Sequence, residues 1–196
     1  DNNNIIRIDR GTEPTTHPPL SGVQIEQAKN RFWWSNLIPQ AQTLLNDWGN
    51  RTIRDRIDYT LRTIAFVGAD GVIYIERGTG ASTNVPLRIE EYAQSWSLLL
   101  SNLSQNAIAF LNNPANLTAV NNLAYVVRNR VDIENGVLMV SGNDVIGNNL
   151  TVERFGQAIS QIIDSPNIRN YLSNNNFYQL LYFAGSRMRP APEGWL

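Results

Sequence analysis

The sequence contains two stretches with one pattern, Gly71-Val72-Ile73-Tyr74-Ile75 and Gly136-Val137-Leu138-Met139-Val140. Each begins with a glycine and continues as a short apolar run of strand length. In the second stretch Asn135 precedes the glycine. Asn-Gly is favoured in a type I′ hairpin turn, because both central residues must adopt a positive φ. We therefore expect each stretch to be the return strand of a β-hairpin.

The similarity continues beyond the hairpins. Residues 87–94 (LRIEEYAQ) align with residues 150–157 (LTVERFGQ), and every apolar position is kept. After both segments, apolar residues recur at spacings of three and four, which predicts an amphipathic helix. The sequence therefore predicts an internal repeat of strand–loop–helix units, over about residues 58–112 and 121–165.

The flanking sequence completes an α+β prediction. Ser21 and Gln24 fit a capping box at the start of a helix, Pro39 should kink or restart that helix, and Gly49 should end it. Strands are predicted at residues 63–67 and 125–133. We expect amphipathic helices packed on one antiparallel sheet of hairpins. Residues 1–20, polar and proline-containing, should form a disordered or draped arm, and residues 21–196 a single α+β domain.

Composition excludes several classes of protein. The 196 residues carry 16 Lys and Arg, 17 Asp and Glu and a formal net charge of −1, so nucleic acid is not an expected partner. The absence of cysteine excludes disulfides, thiolate nucleophiles and Cys-type zinc sites. No apolar run reaches the roughly 20 residues of a membrane span. The composition fits a cytoplasmic protein and equally an extracytoplasmic one that has lost a leader.

No residue pattern predicts catalysis, a cofactor or a metal. His17 is the one histidine, so a multi-histidine metal site cannot be built. Glu90 and Glu91 are adjacent on a helix and point about 100° apart, which favours capping over convergence on a substrate. Gly78-Thr79-Gly80 follows a strand and precedes a helix, but lacks the Gly-Lys-Ser/Thr ending of a phosphate loop. We expect this loop to be a connection.

Aromatic residues give the candidate partner-binding site. Trp33 and Trp34 are adjacent, so on a helix they cannot both face one core, and one should lie at a boundary or an interface. A second aromatic cluster lies near the C-terminus. Its members predicted to bind a partner are Tyr178, Tyr182 and Phe183.

The second unit resembles the type III secretion chaperone-like fold, which includes the YbjN-like group. The resemblance lies between residues 121 and 163, about a fifth of the chain. It rests on residues 122–125 (NLAY) before a strand, residues 132–138 (DIENGVL) in the hairpin and residues 149–151 (NLT) before the last helix. It implies a non-enzymatic protein that binds another polypeptide, often as a dimer.

Three functions follow from these patterns. The first is a protein-binding module: an adaptor, a chaperone-like protein or an assembly subunit, whose partner is another protein or a second copy. The alternative is a structural or surface protein of a virus or an extracytoplasmic assembly, with the arm lacing subunits together. A further alternative is a hydrolase or toxin that uses arginine and carboxylate groups.

Overall fold

The computed structural model describes residues 15–141 and 149–165, and it confirms the α+β class. Within this part the chain forms seven α-helices and six strands. The helices are α1 Gly22–Asn30, α2 Pro39–Asn46, α3 Arg51–Thr63, α4 Ile89–Ser101, α5 Gln105–Asn112, α6 Leu117–Asn129 and α7 Val152–Asp164. The strands are β1 Ala65–Val67, β2 Ile73–Ile75, β3 Leu87–Arg88, β4 Val131–Glu134, β5 Val137–Val140 and β6 Leu150–Thr151.

The strands form two antiparallel sheets, β1-β2-β3 and β4-β5-β6, and not the one sheet that we expected. Each sheet ends after three strands because its last strand has only two residues and turns directly into a helix. The hairpins are as predicted. Asn135 and Gly136 have φ of 52° and 79°, so both residues have the positive φ expected of a type I′ turn.

Local signals placed the first helix well. The Ser21 hydroxyl accepts a hydrogen bond from the Gln24 N–H, and the Gln24 side chain accepts one from the Ser21 N–H, as the capping box predicted. Pro39 restarts the helix, as expected. The prediction for Gly49 is wrong: α2 ends at Asn46, because Asp47 is extended and its carboxylate accepts the Gly49 N–H to begin a 3₁₀ turn.

Three other boundaries differ from the predictions. The strand predicted at residues 125–133 begins only at Val131, because residues 125–129 continue α6 with an apolar face at helical spacing. The helix predicted from Ile89 onwards is split before α5, where the Ser104 hydroxyl caps a new helix. Helix α3 was not predicted as a helix, although its apolar residues lie four apart. These are Ile53, Ile57 and Leu61, all fully buried.

The helices before the two sheets match in length and spacing. Helix α5 begins and ends 66 residues after α2, and α6 begins and ends 66 residues after α3. The 3₁₀ turns between them, at residues 48–50 and 114–116, keep the same spacing. In both, an asparagine side chain donates to a carbonyl six residues earlier: Asn50 to Leu44 and Asn116 to Phe110. We call α1–α3 with the first sheet the first unit, and α4–α6 with the second sheet the second unit; the predicted repeat had placed α4 in its first copy.

The two sheets also correspond in register. Ile75 pairs with Leu87 in the first sheet, and Val140 pairs with Leu150 in the second, the positions that the sequence alignment matched. Helix α4 packs between residues 31–36, which follow α1, and helix α7. The buried apolar side chains of both units form one cluster, with Tyr92 and Trp96 of α4 fully buried in it. One continuous core therefore joins the units.

Candidate functional site

The predicted residues Trp33 and Trp34 lie on a π-helical turn, Arg31–Asn36, that follows α1. The wider turn is held by side chains that donate to main-chain carbonyls. The Asn36 amide donates to the Arg31 carbonyl at 2.7 Å, and the Gln42 amide of α2 donates to the carbonyls of both tryptophans at 3.2 and 3.4 Å. The turn is therefore fixed from two sides.

The structure separates the two tryptophans. Trp33 is half-buried against the core, and its indole N–H donates to the Asp58 carboxylate at 3.0 Å, while the Arg54 guanidinium lies 5.3 Å from the ring centroid. Trp34 points outward and is 66% exposed. Burial raises the pKa of Asp58, although the Trp33 hydrogen bond and the charges of Lys29 and Arg54 oppose this. Trp33 is thus a packing residue, and Trp34 is available for contact.

The π turn is not a requirement of the fold. The corresponding helix α4 of the second unit is a regular α-helix. From the helix cap to the buried leucine two residues before the next helix, the first unit (Ser21 to Leu37) has one residue more than the second (Arg88 to Leu103). The π turn takes up this extra residue. Such turns occur frequently at functional sites.

A buried polar joint connects the two units. The Arg77 guanidinium pairs with the Asp132 carboxylate at 2.9 Å and also donates to the carbonyls of Arg128 and Val131. The hydroxyls of Ser82 and Ser141 donate to the other Asp132 oxygen. Burial lowers the pKa of Arg77, although the charge of Asp132 opposes this. The pair is nearly solvent-free, and its hydrogen bonds link the two units directly.

The loop Gly78-Thr79-Gly80 belongs to this joint. The Gly78 N–H donates to the Asn129 side chain at 2.7 Å, and the Ser82 N–H donates to the Asn129 carbonyl at 2.9 Å. A phosphate loop needs its N–H groups turned towards the ligand. Here the N–H groups of Gly78 and of nearby Ser82 are used within the protein, so this segment ties the two units together.

The last residues of the arm lie against the outer face of the first sheet. Thr16 donates both its N–H and its hydroxyl to the Glu76 carboxylate, at 2.7 and 2.6 Å, and His17 Nδ1 lies 3.2 Å from the other Glu76 oxygen. The His17 ring stacks on Phe66 of β1 with centroids 3.7 Å apart. Leu20 is buried. This part of the arm is draped over the domain, and sequence spacing could not have revealed the contact.

The remaining polar candidates have structural partners. Glu90 pairs with Arg31 at 3.6 Å, and the Glu91 carboxylate accepts the Arg88 N–H at the start of α4. In the described part of the chain no group of three or more His, Asp or Glu could hold a metal ion. None of the helices in residues 15–141 and 149–165 has both the length and the apolar character that a membrane crossing requires. The predicted partner-binding residues Tyr178, Tyr182 and Phe183 lie outside the described residues.

Comparison with models of known protein families, with curated proteins and with solved structures finds no match to this chain. The function must therefore be argued from the surfaces themselves.

Proposed function

We propose that this chain is a non-enzymatic module that binds another polypeptide, with Trp34 at the centre of the contact. The observation that carries the proposal is the exposure of this tryptophan on a π turn that the corresponding helix of the second unit lacks. An exposed indole is unfavourable in water, and tryptophan is among the residues most enriched at the energetic centres of interfaces.

The size of the surface favours a segment of another protein over a permanent dimer. Between Ser21 and Asn46, the exposed large apolar residues are Val23, Trp34 and Ile38. A standard interface takes about 20–30 residues a side. One anchoring tryptophan with two aliphatic neighbours fits a short, transiently bound segment instead.

The pairing of units supports the same class of function. We attribute the two units to duplication of one ancestral unit. Stacked units leave grooves between corresponding helices, and such grooves are the usual binding surfaces of repeat proteins. A groove of about 800 Å³ lies between α2 and α5. Its lining is aliphatic and amide-rich, including Gln40, Leu44, Gln105, Ile108 and Asn112.

The resemblance to the type III secretion chaperone-like fold implies the same class, and it remains a prediction.

The test is selection of a random-peptide display library on the immobilised full chain. We expect enriched peptides whose Kd rises about tenfold or more in Trp34→Ala, because hot-spot truncations cost at least about 2 kcal/mol. Val85→Ala is the matched control, since Val85 is 71% exposed and lies in the loop between β2 and β3. Peptides that bind both variants as tightly as the wild type would remove Trp34 from the contact, and no enrichment would contradict the proposal.

A further inference from the structure

The outer face of the first sheet carries a second recognition surface, distinct from Trp34. We call Phe66 and Glu76 on this face the arm site, and residues 15–17 the docked arm. Glu76 is 7% exposed, and each of its carboxylate oxygens faces a group of the arm. Burial would raise the pKa of Glu76, but the hydrogen bonds from Thr16 and the contact with His17 outweigh it and hold that pKa below its usual range. The carboxylate is therefore built into a site for donors.

Phe66 supplies the apolar half of the arm site. Its ring lies parallel to that of His17, within 12°, and Tyr74 of the neighbouring strand stacks behind it with centroids 5.7 Å apart. The site thus recognises a threonine through two hydrogen bonds and the next residue through stacking and a carboxylate contact. That combination matches a Thr-His pair whose main chain is bent.

The second unit shows what the same face of its sheet requires. Ser141 corresponds to Glu76, since the Ser141 N–H donates to the Arg130 carbonyl as the Glu76 N–H donates to the Ile64 carbonyl. Asp132 corresponds to Phe66 by strand register. There Arg77 and Ser82, which precede the unit in the chain, contact the Asp132 side chain. In both units a preceding segment, of different chemistry in each, contacts this face of the sheet.

We propose that the arm site is a recognition site for a bent Thr-His pair, and that residues 15–17 of a second copy of this chain can occupy it in exchange for the chain's own arm. Exchange keeps the contacts of Thr16 and His17, because the same residues meet the same site, and it changes mainly the cost of loop closure. Leu20 stays buried in its own chain, so residues 18–19 form the link across which the arm is exchanged.

Two full-length variants test exchange. The receiver, Thr16→Pro/His17→Ala, loses both threonine donors and the histidine ring but keeps the arm site. The donor, Glu76→Gln, keeps the arm and loses the anionic acceptor. We expect each variant alone to be monomeric by light scattering and native mass spectrometry, and the mixture to contain a 1:1 complex. A donor that also carries Thr16→Pro/His17→Ala should form no complex with the receiver, because neither chain then has an intact arm.

Circular dichroism must first show that both variants are folded, and Glu76→Asp replaces the donor if Glu76→Gln is not. If the folded variants remain monomers when mixed, exchange is wrong. A complex that disappears when both partners carry Trp34→Ala would belong to the Trp34 surface and would also overturn the proposal. A complex that persists when both partners carry Trp34→Ala supports exchange. This result does not depend on whether the peptide selection supports the Trp34 surface.

Discussion

At the scale of single residues, the two sites differ in how far sequence could reveal them. Two adjacent tryptophans cannot both be buried on one helix face, so an outward-facing indole was predictable from Trp33 and Trp34 alone. The arm site was not predictable, because Thr16 and Glu76 are 60 residues apart and neither lies in a motif. Their pairing depends on the tertiary fold, which places the arm beside β1.

Glu76 makes docking of the arm sensitive to acid. Its pKa is lower in the docked state than in the undocked state. The contribution to docking is therefore complete above the undocked pKa and is lost as pH falls through the lower docked pKa. Because the chain has no cysteine, a dye on Thr15→Cys labels one position.

We expect the anisotropy of that dye to fall below about pH 4, the range in which an ordinary glutamate becomes protonated, as the arm is released. In Glu76→Gln the anisotropy should be low at neutral pH and change little over the same range. A wild-type profile that matches the profile of Glu76→Gln would mean that Glu76 does not hold the arm.

At the scale of elements, the sequence correctly predicted the features that depend on residues close to one another in the chain. The capping box at Ser21, the restart at Pro39 and the Asn-Gly turn each depend on residues within four positions of one another, and each prediction is confirmed. Two predictions were wrong at this scale. The valines of α6 favoured a strand, and the charged residues of α3 made the helical spacing of its buried isoleucines less evident. The 66-residue correspondence of α2–α3 with α5–α6 is also visible in the sequence, for example in Tyr59-x-x-Arg62 and Tyr125-x-x-Arg128. The aligned stretches begin only at Gly71 and Gly136, so they do not include it.

The contact between α4 and α7 depends on a glycine. A Cβ on Gly156 would lie 2.9 Å from the Leu99 carbonyl oxygen, which is main chain and cannot rotate away. We expect Gly156→Ala to lower the free energy of unfolding by about 1–3 kcal/mol from overpacking, reduced by up to about 1 kcal/mol from better helix propensity. Urea denaturation measures the change.

Gly22→Ala is the control, because nothing lies within 4 Å of a Cβ there and the residue opens α1. We expect it to be neutral or slightly stabilising. Equal effects of the two substitutions would show that the α4–α7 contact is not tightly packed at Gly156.

At the scale of the whole molecule, the single core predicts cooperative unfolding. One apolar cluster spans both units, and the Arg77–Asp132 joint is buried between them. We expect one urea transition, with coincident midpoints by far-ultraviolet circular dichroism and tryptophan fluorescence. Two separated transitions would mean that the units unfold independently, as in long repeat arrays whose cooperativity fails.

The 60-residue separation between Thr16 and Glu76 has a consequence for biosynthesis. The arm leaves the ribosome first, and its site is completed only after 60 more residues have been added. At about 5–20 residues per second this takes about 3–12 s. On the exchange proposal, the choice between a chain's own arm site and that of another copy therefore arises during translation, before the chain's own site exists.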